Sequence, residues 1–205
     1  MASRIRIDPA RPSPHKLQPV TAALLAGDVI AYPTDMGYAF ACPISSHRGV
    51  TLLRKLKGIG SKEKKPLTIL VDSLPTMSHY GIMSNQAFRV IRRLLPGPYT
   101  IILPASSELP RSLRNRNNEV GLHLADEPIS KILLEAINEP MFTASVRSAD
   151  DEPELEEPEF LERFYGQGLC CIVDVGPLWP EPSTILRLHD DEIEVIRMGK
   201  GALPD

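Results

Sequence analysis

The sequence predicts an α/β fold: a single domain built on a twisted sheet of mixed parallel and antiparallel strands, with flanking helices. Short apolar runs alternate with segments of helical period over the first two-thirds of the chain. From Leu169 onward, strand-like runs follow one another without helices between them, which argues against a purely doubly wound sheet. The 205 residues are 42% hydrophobic, enough to fill one substantial core, and neither an internal repeat nor a linker divides them.

Each element follows from local signals. Pro9, Pro12 and Pro14 keep the start extended, and a helix runs from Gln18 to Ala26 before Gly27. Val29 to Tyr32 and Tyr38 to Cys42 are strands. A helix over Ser46 to Lys57 places Val50, Leu53 and Leu56 on its buried face, with Ser45 or Ser46 as N-cap and Gly58 closing it. Pro66 to Val71 is a buried strand, Asn85 to Leu95 a helix stopped by Pro96-Gly97-Pro98, and Tyr99 to Leu103 a strand. Arg111 to Asn118 forms a polar loop and Val120 to Leu124 a strand, and a helix opens at Pro128. Met141 to Val146 is a strand. An acidic, solvated loop follows, then a helix near Phe160 and strands over Leu169 to Val173, Thr184 to Leu188 and Glu192 to Arg197.

The net charge of −3 conceals a segregation. Residues 150–159 hold seven acids and no base, and the remainder carries 23 bases against 19 acids. Arg54 to Lys65 alone holds six bases against one acid, a local cluster suited to an anion. Cys42, Cys170 and Cys171 fit neither a disulfide framework nor a zinc site and read as buried thiols in strands. The five histidines show no ligand spacing, so no metal site made of protein side chains is expected. Without a membrane-spanning run or a signal-peptide core, the expected location is cytoplasmic.

The chemistry-bearing fragments are polar residues directly after short apolar strands. They are Y-P-T-D at Tyr32 to Asp35, L-K-G at Leu56 to Gly58, P-G-P-Y-T at Pro96 to Thr100, T-A-S at Thr143 to Ser145, P-S-T-I at Pro182 to Ile185, and Arg197-Met198-Gly199. Strand ends in open α/β sheets gather ligands, and small hydroxyls with lysine and arginine suit phosphate oxygens and a ribose edge. Neither G-x-x-x-x-G-K-[ST] nor G-x-G-x-x-G is present.

In their order, these fragments resemble the YrdC/YciO superfamily, whose best-known members are threonylcarbamoyl-AMP synthases. The resemblance runs from about Gly27 to Gly199, through G-D-V-I-A-Y-P-T-D, the L-K-G basic loop, L-P-G-P-Y-T-I-I-L, P-S-T-I-L-R-L and I-R-M-G. The N-terminal lead and Y-P-T-D-x-G-Y-A are most similar to the YciO branch. The resemblance implies a nucleotide-binding YrdC-like domain. It also implies a reaction joining threonine, bicarbonate and ATP into threonylcarbamoyl-AMP and pyrophosphate, the first stage of a tRNA modification at adenosine 37. Mg²⁺ would accompany ATP as cofactor, and no covalent nucleophile or acid–base residue is required. On this resemblance Lys57, Thr100, Ser145 and Arg197 bind ATP and its phosphates, and Thr34 and Ser183 bind the threonine and carbamate end. Thr184 supports the same wall, and Lys62, Lys64 and Lys65 either supplement Lys57 or form a solvated turn.

Departures cluster at these positions. Synthases read K-x-R where this chain has Lys57-Gly58-Ile59, and S-x-N where it has Ser145-Val146-Arg147. A family histidine after the basic loop aligns with Leu70, and an arginine in G-x-R-x-P is replaced by His123. Arg147 either restores a charge from another direction or caps a strand end in solvent. His123 offers one hydrogen bond in place of a guanidinium fork. A second function remains open beside the synthase: binding double-stranded RNA or tRNA through Arg54, Lys55, Lys57, Lys62, Lys64 and Lys65, with Arg111, Arg114 and Arg116. A third is a regulatory protein that keeps the nucleotide pocket as a sensor.

Overall fold

A computed structural model describes residues 2–59, 67–109, 113–114, 117–146, 156–189 and 192–203. Its strands are β1 (Ser3–Arg6), β2 (Ile30–Thr34), β3 (Gly37–Pro43), β4 (Thr68–Val71), β5 (Tyr99–Pro104), β6 (Glu119–Leu124), β7 (Met141–Ser145), β8 (Cys171–Asp174), β9 (Thr184–His189) and β10 (Glu192–Arg197). Its helices are α1 (Pro14–Leu25), α2 (His47–Leu56), α3 (Leu74–Tyr80), α4 (Asn85–Leu94), α5 (Pro128–Ile137) and α6 (Pro158–Tyr165). All the strands join one sheet in the order β1-β8-β2-β3-β7-β4-β6-β5-β9-β10. Pairs β1–β8, β2–β8, β4–β6 and β5–β9 are parallel and the other neighbours antiparallel, the mixed sheet expected from the sequence.

Strand side chains alternate between faces, so the central strands β2, β3, β4, β7 and β8 each feed two cores. On one face Ile30, Tyr32, Ala39 and Ala41 pack with Leu17, Val20 and Leu24 of α1 and Ile129, Leu133 and Ile137 of α5. On the other, Phe40, Cys42, Ile69, Ile101 and Leu122 pack with Leu53, Met77, Ile91 and Leu161 of α2, α3, α4 and α6. Each fully buried Leu or Ile contributes about 1.5–3 kcal/mol. Helix starts follow their caps: Ser46 Oγ accepts the Gly49 N–H, Ser84 the Ala87 N–H, and the Glu127 carboxylate the Ile129 and Ser130 N–H groups.

Five points differ from the sequence reading. Pro14 does not keep the chain extended. It stands at the first position of α1, where its missing N–H costs nothing, so the helix begins four residues earlier than expected. Residues 3–6 form a strand, β1, and residues 74–80 a helix, α3, neither of which was expected. Glu156, assigned to the solvated acidic loop, is buried. Its carboxylate accepts the Tyr38 N–H at 2.5 Å, and its backbone exchanges two hydrogen bonds with Leu178. Residues 150–155 lie outside the described residues. Cys42 and Cys171 are buried, and burial pushes both thiols up to about 12, but Cys170 is exposed. Among the described residues no helix is long and apolar enough to cross a membrane.

Candidate ligand-binding site

The helices α1 and α5 cover only part of their face of the sheet. Beyond them the same face continues across β7, β4, β6, β5, β9 and β10, and there it is lined by small polar side chains. Register places those side chains side by side. Thr143 of β7 pairs with Thr68 of β4, which in turn faces Gly121 of β6, where the missing side chain leaves room. One row along, Leu70 faces His123, Ile185 of β9 is paired with Thr100, and Arg197 of β10 is paired with Ile185. Ile101 opposite Leu122 brings Thr100 next to His123.

The result is a hollow of about 160 Å³ lined by Tyr32, Thr34, Thr100, His123, Ser145 and Arg197, with Ser183 and the Thr68–Thr143 pair completing it. Its polar groups are tied to one another. Thr100 Oγ1 and Ser183 Oγ are 2.9 Å apart, and Tyr32 Oη and Thr143 Oγ1 are also 2.9 Å apart. Arg197 donates to the Ser183 carbonyl from Nε at 3.2 Å and from Nη2 at 2.8 Å, which fixes its guanidinium at the wall. Burial pushes the Tyr32 hydroxyl well above its ordinary range, so Tyr32 acts as a neutral hydrogen-bonding group.

Of the residues singled out from the sequence, Thr34, Thr100, His123, Ser145, Ser183 and Arg197 converge on this hollow. Lys57 is not among the residues that line it; its Nζ donates to the Val146 carbonyl at 3.1 Å, one residue past Ser145. Thr184 lies behind the wall. Its hydroxyl donates to the Gly201 carbonyl at 2.6 Å and accepts the Gly199 N–H at 2.9 Å, which clamps the C-terminal segment to β9. Lys62, Lys64, Lys65 and Arg147 lie outside the described residues, as do Arg111 and Arg116. Arg114 is committed elsewhere, donating to the Leu109 and Ser106 carbonyls and to Asn118 Oδ1. Arg54 and Lys55 close the last turn of α2, where cations also offset the helix dipole.

Sequence reasoning assigned no role to Tyr32, Thr68, Thr143, Asp35 or Lys200. Thr68 and Thr143 carried a usable signal: a hydroxyl at an inward position of an otherwise apolar strand. Asp35 sits in the turn between β2 and β3, flanked by the lining residues Thr34 and Met36. Burial raises its carboxyl, but the interaction with His123 and the charge of Lys200 outweigh burial and hold it below the ordinary carboxylate range. Its backbone carbonyl accepts from Lys200 Nζ at 3.2 Å, and Lys200 also pairs with Glu181 at 2.8 Å.

A family model for Sua5/YciO/YrdC proteins, described as telomere recombination, matches residues 22–199. The chain belongs to the Sua5/YciO/YrdC family. It is 30% identical over 202 residues to the uncharacterized protein YciO of Escherichia coli K12, covering 98% of this chain and 97% of that one. The crystal structure of E. coli YciO superposes with a TM-score of 0.91 over 98% of both chains. A mouse threonylcarbamoyl-AMP synthase is 27% identical over 90% of this chain and 64% of its own length. The fold also matches P. abyssi Sua5, crystallised with L-threonine, with a TM-score of 0.82 and 21% identity over 97% of this chain and 57% of that one.

Proposed function

We propose that this Sua5/YciO/YrdC protein binds Mg-ATP and a small amino acid, and forms a carbamoyl-adenylate of the threonylcarbamoyl-AMP type from them and bicarbonate. The observation that carries this reading is the convergence of Thr34, Thr100, Ser145, Ser183 and Arg197 on one hollow. The hollow's ~160 Å³ falls below the ~300–1,000 Å³ of a pocket for a drug-sized ligand, which suits an amino acid and its carbamate. The nucleotide then extends along the open sheet face toward Ser145 and Lys57.

In this reading the chain positions and neutralises rather than attacks. Thr34 and Ser183 hold the amino-acid end, Thr100 and Ser145 hydrogen-bond the nucleotide, and Lys57 and Arg197 draw charge from the phosphates toward a leaving pyrophosphate. Hydroxyls and cations of this kind fit the phosphate end of a magnesium nucleotide, with the ion held by phosphate oxygens and water. Mg²⁺ there would supply further charge neutralisation. Isoleucine at position 59 removes a bidentate cation worth about 1.5–3 kcal/mol, so slower turnover than in a K-x-R synthase is expected.

Calorimetric titration with Mg-ATP, repeated on Lys57→Ala and Arg197→Ala, tests the reading. Each variant is expected to weaken binding about 10-fold or more. Pyrophosphate release in the presence of bicarbonate and each amino acid in turn tests the chemistry. Unchanged nucleotide affinity in both variants overturns the assignment, and absence of pyrophosphate with every amino acid overturns the reaction.

A further inference from the structure

We infer that residues 175–182 form a strap across the ligand end of the sheet, and that Lys200 is the positioning residue that latches it, so that breaking the latch speeds the passage of ligand into and out of the hollow. This rests on the proposed function for the ligand's identity and adds how its exchange is controlled.

The strap follows from topology. It leaves β8 at Asp174 and enters β9 at Thr184, and these two strands stand seven places apart in the sheet. β2, parallel to β8, ends at Thr34, and β5, parallel to β9, begins beside Thr100, so the strap passes the strand ends that carry lining residues. At about 4.8 Å per place, a flat sheet would separate β8 from β9 by about 34 Å. The chain from Asp174 to Thr184 reaches hardly further, about 33–36 Å, even when straight. It is not straight: Gly176 has a φ of +88°, and the strap stops on its way to bond with other segments. Val175 N–H donates to Tyr38 Oη at 3.1 Å, Leu178 exchanges two backbone hydrogen bonds with Glu156, and Glu181 N–H donates to the Met36 carbonyl at 3.2 Å. The sheet must therefore curl, and its two halves approach each other across the hollow.

One residue joins the three segments that meet there. Lys200 Nζ pairs with the Glu181 carboxylate of the strap at 2.8 Å and donates to the Asp35 carbonyl of the β2–β3 turn at 3.2 Å. Its backbone N–H donates to the Pro182 carbonyl at 2.9 Å. Each partner adjoins the lining without belonging to it: Asp35 lies between Thr34 and Met36, and Glu181 two residues before Ser183. The contact is built to yield. None of residues 175–182 is buried, Trp179 in the middle of the strap is 61% exposed, and both members of the ion pair face solvent. Exposed pairs contribute little, and segments with few buried contacts open first.

Two readouts test the latch on the intact chain. Stopped-flow mixing with mant-labelled Mg-ATP gives association and dissociation rates, and amide hydrogen exchange at Glu181 reports the strap itself. Lys200→Ala and Glu181→Gln each break the latch from a different segment, and Lys200→Arg keeps it. In both broken variants the Glu181 amide should exchange faster, and association and dissociation should speed up together. The expected change is about 2–5-fold for Glu181→Gln, the scale of an exposed ion pair, and larger for Lys200→Ala, which also loses the Asp35 contact. Lys200→Arg should behave as the parent. Electrostatic steering alone gives opposite signs, because losing a cation slows the approach of a polyanion and losing an anion speeds it. Opposite signs in the two variants, or a change in dissociation alone, overturn the latch as the control of exchange. So does a Glu181 amide that exchanges at the parental rate in Lys200→Ala. If the parent binds no Mg-ATP, the proposed function fails and the control of its ligand with it, while exchange at Glu181 still decides whether Lys200 holds the strap.

Discussion

Replacing Gly199 by alanine should damage the pocket through the backbone of its wall rather than through a lining side chain. Gly199 follows β10 and lies against Pro182 and Ser183, the residues just before β9. A Cβ built there meets the Pro182 carbonyl oxygen at 2.2 Å and the Ser183 carbonyl carbon and oxygen at 2.5 Å, all backbone atoms that cannot swing aside. Two hydrogen bonds hold the same contact, Gly199 N–H to Thr184 Oγ1 and Lys200 N–H to the Pro182 carbonyl, each at 2.9 Å. Overpacking of this kind costs about 1–3 kcal/mol, and losing one of the bonds costs about 1 kcal/mol more. For a domain of this size, about 2–4 kcal/mol lowers Tm by roughly 5–15 °C. The displaced backbone includes the Ser183 carbonyl that fixes Arg197. Nucleotide affinity should therefore fall about 10–100-fold, the scale of one charge-assisted contact. Gly176→Ala is the comparison: φ there is +88°, yet nothing lies within 4 Å of the added Cβ, so only backbone strain of about 1–2 kcal/mol is expected. Thermal unfolding and Mg-ATP calorimetry on both variants give the readout. If Gly199→Ala melts within about 1 °C of the parent and binds ATP unchanged, the backbone contact does not hold the wall, and the reasoning is refuted.

Three further outcomes follow from the same geometry. Glu127→Ala removes the acceptor for the Ile129 and Ser130 N–H groups and should cost about 1 kcal/mol, seen as a Tm lowered by about 2–4 °C. The Asp35 carboxyl is held below its ordinary range, so it stabilises the fold above that range, and the stabilisation is lost as pH falls through the lowered value. The Tm difference between the parent and Asp35→Asn should accordingly shrink on acidification from about pH 5 to about pH 2, and a difference that grows would contradict the sign. If the basic segment around Arg54 and Lys55 binds double-stranded RNA, retention should fall steeply between about 50 and 200 mM salt. Arg114→Ala should lower stability rather than RNA retention, because that guanidinium is spent on its own loop.

The alternation of strands and helices was legible in the sequence because it rests on periodicity and caps. Ser46 before His47–Leu56 and the breaker after α4 placed those helices to within a residue or so. The hydroxyls at strand ends were legible too: Thr34, Thr100, Ser145 and Ser183 meet, and of the cations Arg197 joins them. Their adjacency was not, because register sets it: nothing in the chain brings His123 beside Thr100, or Arg197 beside Ile185, before the strands pair. β1 was missed because a four-residue strand that borrows its stability from β8 carries too short a pattern. Glu156 was misread because composition speaks for a whole acidic stretch, whereas a single carboxylate is buried by one specific donor, the Tyr38 N–H. Asp35 was quoted with its motif, yet its partner lies 88 positions away on another strand.

The parallel pairing of β5 with β9 has a consequence for biosynthesis. The pocket takes its first contribution near Thr34 and its last at Arg197, so nearly the whole chain must leave the ribosome before any ligand can be held. Until β9 arrives, β5 shows an open edge, and Thr100 waits without Ser183. A product truncated before residue 182 would keep much of its core and still be blind to ligand. Loss of binding would then report incomplete synthesis well before loss of helical structure did.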